Sequence, residues 1–90
     1  MNNVFLSENR SRHLRSLFPE LTDKQFDCLF YYSLGFTSER MAVLIGCSSK
    51  TIRNQIQLLK EKLSLNTSSE LRIIFLVRII TPIEEIYNEK

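Results

Sequence analysis

The sequence predicts an all-α fold: four helices preceded by an additional N-terminal segment that is also predicted to be helical. Three observations favour this class. Apolar side chains recur three and four positions apart in successive stretches, which places them on one face of a helix. Residues suited to cap a helix precede these stretches, and the only two glycines in the 90-residue chain follow two of them. With 43 % hydrophobic residues, the chain can bury one small core.

The predicted organisation has three parts: an N-terminal extension of residues 1–20, a helical domain of residues 21–80 and a C-terminal tail of residues 81–90. In the extension, Ser7 is a candidate cap for a helix of about three turns that ends before Pro19.

The first helix of the domain is predicted from the pattern Thr22 to Gln25, in which each side chain satisfies a backbone donor of the other residue. It should run to about Leu34. The second should run from about Thr37 to Ile45 and end at Gly46, because glycine enters the left-handed cap without steric cost. The predicted inward-facing residues are Cys28, Leu29, Tyr31 and Tyr32 on the first helix, Met41, Ala42 and Ile45 on the second, and Ile52, Ile56, Leu59 and Leu63 on the third.

The third helix is predicted to start after the capping residue Ser48 and to run from about Ser49 to Leu63. The tight turn at Gly46 joins it to the second helix, and two helices joined in this way form a helix-turn-helix. From residue 48 to residue 62 there are four cationic side chains and one acid, Glu61, although the whole chain has a net charge of only +2. The polar residues available to phosphates and base edges are Lys50, Thr51, Arg53, Asn54 and Gln57.

A second capping pattern, Thr67 to Glu70, predicts a fourth helix that reaches about Ile80, because Pro82 disfavours continuation. This helix is apolar on almost every side. One face can fill the core, and the other must be covered either by a second subunit or within this chain, by the N-terminal segment or the tail. The apolar residues are Ile73, Ile74, Phe75, Leu76, Val77, Ile79 and Ile80.

Several other functions are disfavoured by the sequence. Cys28 and Cys47 have no further cysteine or histidine nearby to complete a metal site, and we interpret both as core residues. His13, the only histidine, has no neighbouring nucleophile. The first residues show no basic segment followed by a long apolar run, so a secretory signal is not expected, and the apolar stretch 71–80 is too short to span a membrane. We therefore expect a soluble cytoplasmic protein that is not an enzyme and needs neither a metal nor a cofactor.

The pattern from Leu21 to Leu71 resembles the LuxR-type (GerE-like) DNA-binding domain. The residues that carry this resemblance are Leu21, Thr22, Leu29, Gly35, Thr37, Met41, Ala42, Ile45, Gly46, Ser48, Lys50, Thr51, Ile52, Glu61, Lys62, Leu63, Thr67, Glu70 and Leu71. The resemblance implies a bacterial transcription regulator that binds double-stranded DNA as a homodimer, with the third helix in the major groove and the fourth helix between subunits.

Residue roles follow from the same resemblance. The implied base contacts are Arg53, Asn54 and Gln57. The implied phosphate contacts are Thr37, Lys50, Thr51, Gln55 and Lys62. The expected dimer interface on the fourth helix comprises Ile73, Phe75, Leu76, Ile79 and Ile80.

The sequence departs from the family pattern at a few positions. Gln25 and Arg40 replace acids, and Ser64 replaces a frequent glycine. Gln55 stands where histidine is typical, which removes a possible positive charge facing phosphate, so DNA affinity below the family norm is expected.

Two questions stay open at this point. The chain is expected to be a stand-alone regulator, because twenty N-terminal residues cannot build a sensing domain; the alternative is a regulator that forms a heterodimer with a larger relative and modulates its activity. Phe26, Phe30 and Leu34 also form an extra apolar stripe on the first helix of the domain. Either Leu14, Leu17 and Phe18 fold back onto this stripe, or it docks another protein.

Overall fold

The computed structural model describes the backbone of residues 8–88 and the side chains of residues 11–81. Within residues 8–88 the chain forms five α-helices and no strand, so the all-α prediction is confirmed for this part of the protein. Ser7, the candidate cap of the first helix, lies outside the described residues. The helices are α1 (Glu8–Ser16), α2 (Asp23–Ser33), α3 (Ser38–Ile45), α4 (Ser49–Lys62) and α5 (Glu70–Asn88).

The helix starts and ends of the central region follow the predicted capping residues. Thr22 Oγ1 accepts a hydrogen bond from the Gln25 N–H at 3.1 Å, and Gln25 Oε1 accepts one from the Thr22 N–H at 3.0 Å. This reciprocal pair confirms the capping box at the start of α2. Gly46 closes α3 with φ of 87°, a left-handed conformation that costs glycine little.

The last helix differs from its prediction. The Glu70 carboxylate accepts hydrogen bonds from the backbone N–H groups of Asn66 at 2.7 Å and Thr67 at 3.1 Å, so this half of the predicted capping pattern is present. The predicted end near Ile80 is wrong, because α5 continues through Pro82 to Asn88. A proline removes one backbone hydrogen-bond donor from the helix, and α5 continues past Pro82 without that donor. The predicted boundary between domain and tail therefore falls inside one helix.

α2 is the central helix and packs against α3, α4 and α5. The predicted inward-facing residues are buried or packed against the core, which confirms the assignment of faces. Both cysteines belong to the core, as predicted: Cys28 is fully buried, Cys47 is partly buried, and both thiols are free. Burial raises the pKa of the Cys28 thiol to about 12, so it is protonated and unreactive at neutral pH. The largest fully buried side chains are Phe18, Phe26, Leu29, Met41, Ile52, Leu59 and Leu71.

The segment between α1 and α2 belongs to this core. The Phe18 ring is fully buried, with its centroid 5.8 Å from that of Phe26 in α2 and 5.7 Å from that of Phe75 in α5. Phe26 and Phe30 are buried in turn, so cover of the extra apolar stripe by this chain is confirmed for these two residues. Leu34, the third member of the stripe, remains exposed.

No helix of the described residues has both the length and the apolar character needed to cross a membrane. α5, although long, carries Arg72 and Arg78 among its apolar residues, and both make polar contacts to other parts of the fold.

Candidate nucleic-acid interface

The start of α4 is built by a short turn and a serine cap. After the left-handed Gly46, Ser48 Oγ accepts a hydrogen bond from the Thr51 N–H at 3.1 Å. The hydroxyl groups of Ser48 and Thr51 are also 3.0 Å apart, within hydrogen-bond distance. These contacts fix the first turn of α4 at the surface, where its unpaired backbone N–H groups and the positive end of the helix dipole favour an anion.

α4 has one buried side and one polar side. Ile52 and Leu59 are fully buried, whereas Lys50, Arg53 and Asn54 are exposed. At about 100° per residue, the positions of Lys50, Arg53, Asn54 and Gln57 fall within an arc of roughly 100°. This arc lies opposite the buried side, so the predicted polar residues share one solvent-facing surface. We call this surface, made of Lys50, Arg53, Asn54 and Gln57, the α4 polar face.

The three predicted base-contacting residues differ in their present partners. Arg53 and Asn54 have no hydrogen-bond or ion-pair partner among the described side chains. Gln57 donates from Nε2 to Glu61 Oε2 at 3.3 Å, one helical turn further along. Sequence reasoning assigned no role to Glu61, although its spacing of four residues from Gln57 could have indicated the contact. Arg53 and Asn54 are therefore free to bind a ligand, and Gln57 already has one donor engaged.

The predicted phosphate contacts are distributed over a larger surface. Lys50 and Thr37 are exposed near the helix-turn-helix, and Thr37 Oγ1 caps α3 by accepting from the Arg40 N–H at 3.1 Å. Lys62 lies about 18 Å further along α4 than Lys50. Its Nζ donates to Gln25 Oε1 at 3.1 Å, which ties it to the start of α2. Lys50 thus lies at the start of the α4 polar face, Thr37 lies at the start of α3, and Lys62 lies at the opposite end of α4.

Gln55 has a different environment from the other predicted phosphate contacts. It is only partly exposed, and its Oε1 atom is buried without a hydrogen-bond partner in the described part of the chain. A buried amide oxygen without a partner is unfavourable, and the Gln55 amide carries no charge for a phosphate.

The predicted dimer-interface residues of α5 separate into two groups. Phe75 is only 6 % exposed and belongs to the core, where its ring contacts Phe18 and Phe30, so it is not available to a second subunit. Ile79 is partly buried against the core. The exposed apolar residues, which we call the α5 apolar face, are Ile73 at 59 %, Leu76 at 57 %, Val77 at 50 % and Ile80 at 47 %.

Val77 was absent from the expected interface, and Phe75 was placed in it. Seven of the eight residues from 73 to 80 are apolar, so the sequence offers no contrast between a buried and an exposed side of this helix. The inward direction is identified by the packing of Phe75 against Phe18 and Phe30.

Comparison of the chain with protein-family models, curated proteins and solved structures found no match. Side chains 11–81 contain no cluster of His, Cys, Asp or Glu residues arranged to hold a metal ion. What the α4 polar face binds is therefore inferred from its own chemistry and geometry.

Proposed function

We propose that the protein is a DNA-binding transcription regulator that inserts α4 into the major groove of double-stranded DNA. The observation that carries this proposal is the α4 polar face itself, which is exposed, cationic and opposite the buried Ile52 and Leu59. α4 has 14 residues and is about 21 Å long. A helix of this length fits the major groove while its other side stays packed on the core.

The side chains of this face have complementary roles in such a complex. Arg53 can donate two hydrogen bonds to O6 and N7 of guanine, and Asn54 can pair with N6 and N7 of adenine. Lys50, in the first turn, contributes a positive charge to phosphate, where the helix dipole acts in the same direction. Thr37 lies at the start of α3 and its hydroxyl hydrogen can reach a neighbouring phosphate. Sequence preference would thus come from Arg53 and Asn54, and affinity from Lys50 and the helix ends.

A homodimer is the second part of the proposal. The α5 apolar face leaves four large aliphatic side chains about half exposed on one helix, and covering them removes apolar surface from water. To bind one DNA duplex, a two-fold dimer through α5 must present its two α4 helices on one side. A spacing of about 34 Å between them would match successive major grooves.

A second candidate uses the same face differently. The exposed α5 apolar face also fits the corresponding helix of a larger related regulator, which gives a heterodimer that modulates that regulator. Phe26 and Phe30 no longer support this candidate, because both are buried within the protomer.

The proposal is tested by selecting bound sequences from a random DNA pool and then measuring affinity by fluorescence anisotropy over a range of salt concentrations. Arg53→Ala should weaken binding to the selected site by about 5–150-fold, with little effect on a scrambled site. Lys50→Ala should weaken binding to both sites and lower the salt slope by about one unit.

Lys24→Ala is the matched control, because it removes one exposed positive charge from α2 and leaves α4 unchanged. If Arg53→Ala and Lys50→Ala bind DNA with the same affinity as the Lys24→Ala control, the proposed contacts of α4 with bases and phosphates are contradicted. A single enriched half-site without a symmetric partner would contradict the homodimer and favour the heterodimer.

A further inference from the structure

We propose that Arg78 and Glu20 are positioning residues for the proposed dimer, because they fix the C-terminal half of α5 to the loop between α1 and α2. This inference rests on the proposed dimerisation through α5. It assigns the loop of residues 17–21 a role in the dimer, although the sequence placed most of that loop in an N-terminal extension.

The two halves of α5 are held to the protein in different ways. In the first half, Leu71 is fully buried and Phe75 nearly so, and Arg72 Nε donates to the carbonyl oxygen of Tyr32 at 3.2 Å. Beyond Phe75, Leu76 and Val77 face solvent, and Ile79 is only partly buried against the core. The first half of α5 is therefore packed more tightly on the core than the second half.

Arg78 supplies the polar contacts that the second half makes with the rest of the described chain. Its guanidinium forms two bonds with the Glu20 carboxylate, at 2.9 Å to Oε1 and 2.6 Å to Oε2. Nη1 also donates to the carbonyl oxygen of Leu17 at 3.0 Å, and the guanidinium carbon lies 4.7 Å from the centroid of the Phe18 ring. A planar fork that binds a carboxylate through two nitrogens restrains direction as well as distance.

The loop that receives Arg78 is itself anchored to the core. Phe18 is fully buried between α2 and α5. Arg15, from α1, donates to the carbonyl oxygens of Phe18 at 2.8 Å and Leu21 at 2.5 Å, and its Nε donates to Asp23 Oδ1 at 2.9 Å. The loop is thus held firmly by the core, and the second half of α5 is attached to it through Arg78.

The position of Arg78 explains why this attachment matters for a dimer. Leu76, Val77 and Ile80 lie within two residues of it and supply three of the four members of the α5 apolar face. Two subunits that pair through this face acquire a relative orientation set by the direction of the helix. Loss of the Arg78 contacts would let this half of α5 change direction and would weaken the dimer without altering the α4 polar face.

The test compares Arg78→Gln and Glu20→Gln with the control Arg72→Gln, which removes another arginine of α5 that donates to a backbone carbonyl and stacks on an aromatic ring. Dimer dissociation is measured by sedimentation equilibrium, and DNA affinity by anisotropy on a full site and on a single half-site. We expect Arg78→Gln and Glu20→Gln each to weaken dimerisation and full-site binding by about tenfold, with half-site binding unchanged.

Three further results are expected. The Arg78→Gln, Glu20→Gln double variant should be no weaker than the single variants, because both changes remove the same contact. Arg78→Lys keeps the charge without the fork and should give an intermediate effect. Arg72→Gln should dimerise like the unmodified protein, because Leu71 and Phe75 already hold that half of the helix.

Unchanged dimer dissociation in Arg78→Gln and Arg78→Lys would overturn the positioning role, as would a monomeric unmodified protein. An equal loss of half-site and full-site binding, with a lowered melting temperature, would also overturn it, because the contact would then act only on stability. Failure of the unmodified protein to bind DNA would refute the proposed function, while the dimer dissociation constants would still decide the role of Arg78.

Discussion

Replacement of Phe18 by alanine tests whether the segment before α2 is a structural part of the core. Phe18 is fully buried and its ring contacts those of Phe26 and Phe75, at centroid distances of 5.8 and 5.7 Å. The Arg78 guanidinium lies over the same ring. Phe18→Ala would therefore leave a cavity between α2 and α5 and remove the surface on which Arg78 stacks.

The magnitude follows from comparable core substitutions. Truncation of a buried phenylalanine to alanine costs about 3–5 kcal/mol, which includes the cavity that remains. We expect a loss of about 4 kcal/mol, the middle of that range, and the two aromatic contacts of Phe18, each contributing about 0.5–1.5 kcal/mol beyond the buried area, argue against a smaller value. Since the free energy of unfolding of a small domain is only about 5–15 kcal/mol, this substitution removes a large share of the stability. The melting temperature should fall by roughly 16–32 °C.

Urea unfolding followed by circular dichroism measures this loss. Val43→Ala is the control, because Val43 is 72 % exposed on α3 and its truncation should change the free energy of unfolding by no more than about 0.5 kcal/mol. A loss below about 1 kcal/mol for Phe18→Ala would refute the reasoning, since it is the size expected of a surface substitution. The segment before α2 would then be an appendage that contributes little to the core.

Two further predictions concern a helix end and a buried acid. Gly46→Ala should lower the free energy of unfolding by about 1–2 kcal/mol in urea titrations. The φ of Gly46 is 87° and an added Cβ would meet no atom within 4 Å, so backbone strain is the only cost. An unchanged free energy of unfolding would contradict the left-handed cap. Asp27 Oδ1 is buried without a partner among side chains 11–81, and burial raises the pKa of this carboxyl above its ordinary 3.8. The folded protein then binds more protons than the unfolded chain between these two pKa values, so stability falls as pH rises through that window. Asp27→Asn should therefore stabilise the protein at pH 7 and lose this advantage below pH 3.8, and urea midpoints that do not differ at pH 7 would contradict the burial cost.

The helix boundaries of the central region could be predicted because their signals are local. The hydroxyl of Thr22 and the amide of Gln25 reach backbone donors only three residues away. Gly46 adopts the left-handed conformation within its own residue. The α4 polar face was also predictable, because the alternation of Ile52 and Leu59 with charged and amide residues defines its two sides at helical spacing.

The arrangement around α5 could not be predicted in the same way, because it depends on contacts between distant residues. Glu20 and Arg78 are 58 positions apart, and nothing in either local sequence identifies the partner. Phe75 is buried because Phe18 covers it, and a nearly uniform apolar stretch does not reveal that direction. Pro82 is a local signal that favoured the wrong boundary, because α5 continues through it with one backbone donor missing.

The α4 polar face and the α5 apolar face both limit how much of their helices can be buried in the small core. α4 must keep its polar face outward, which it does by burying Ile52 and Leu59 on the other side. α5 must also leave apolar residues outward if it is to bind a second subunit, so it can contribute only one side to the protomer. The buried ring of Phe18 fills the space beside Phe75 on the inward side of α5, with the two ring centroids 5.7 Å apart. The segment before α2 thus lets α5 remain half exposed while the core stays closed, and it connects the proposed dimerisation to the stability of the single subunit.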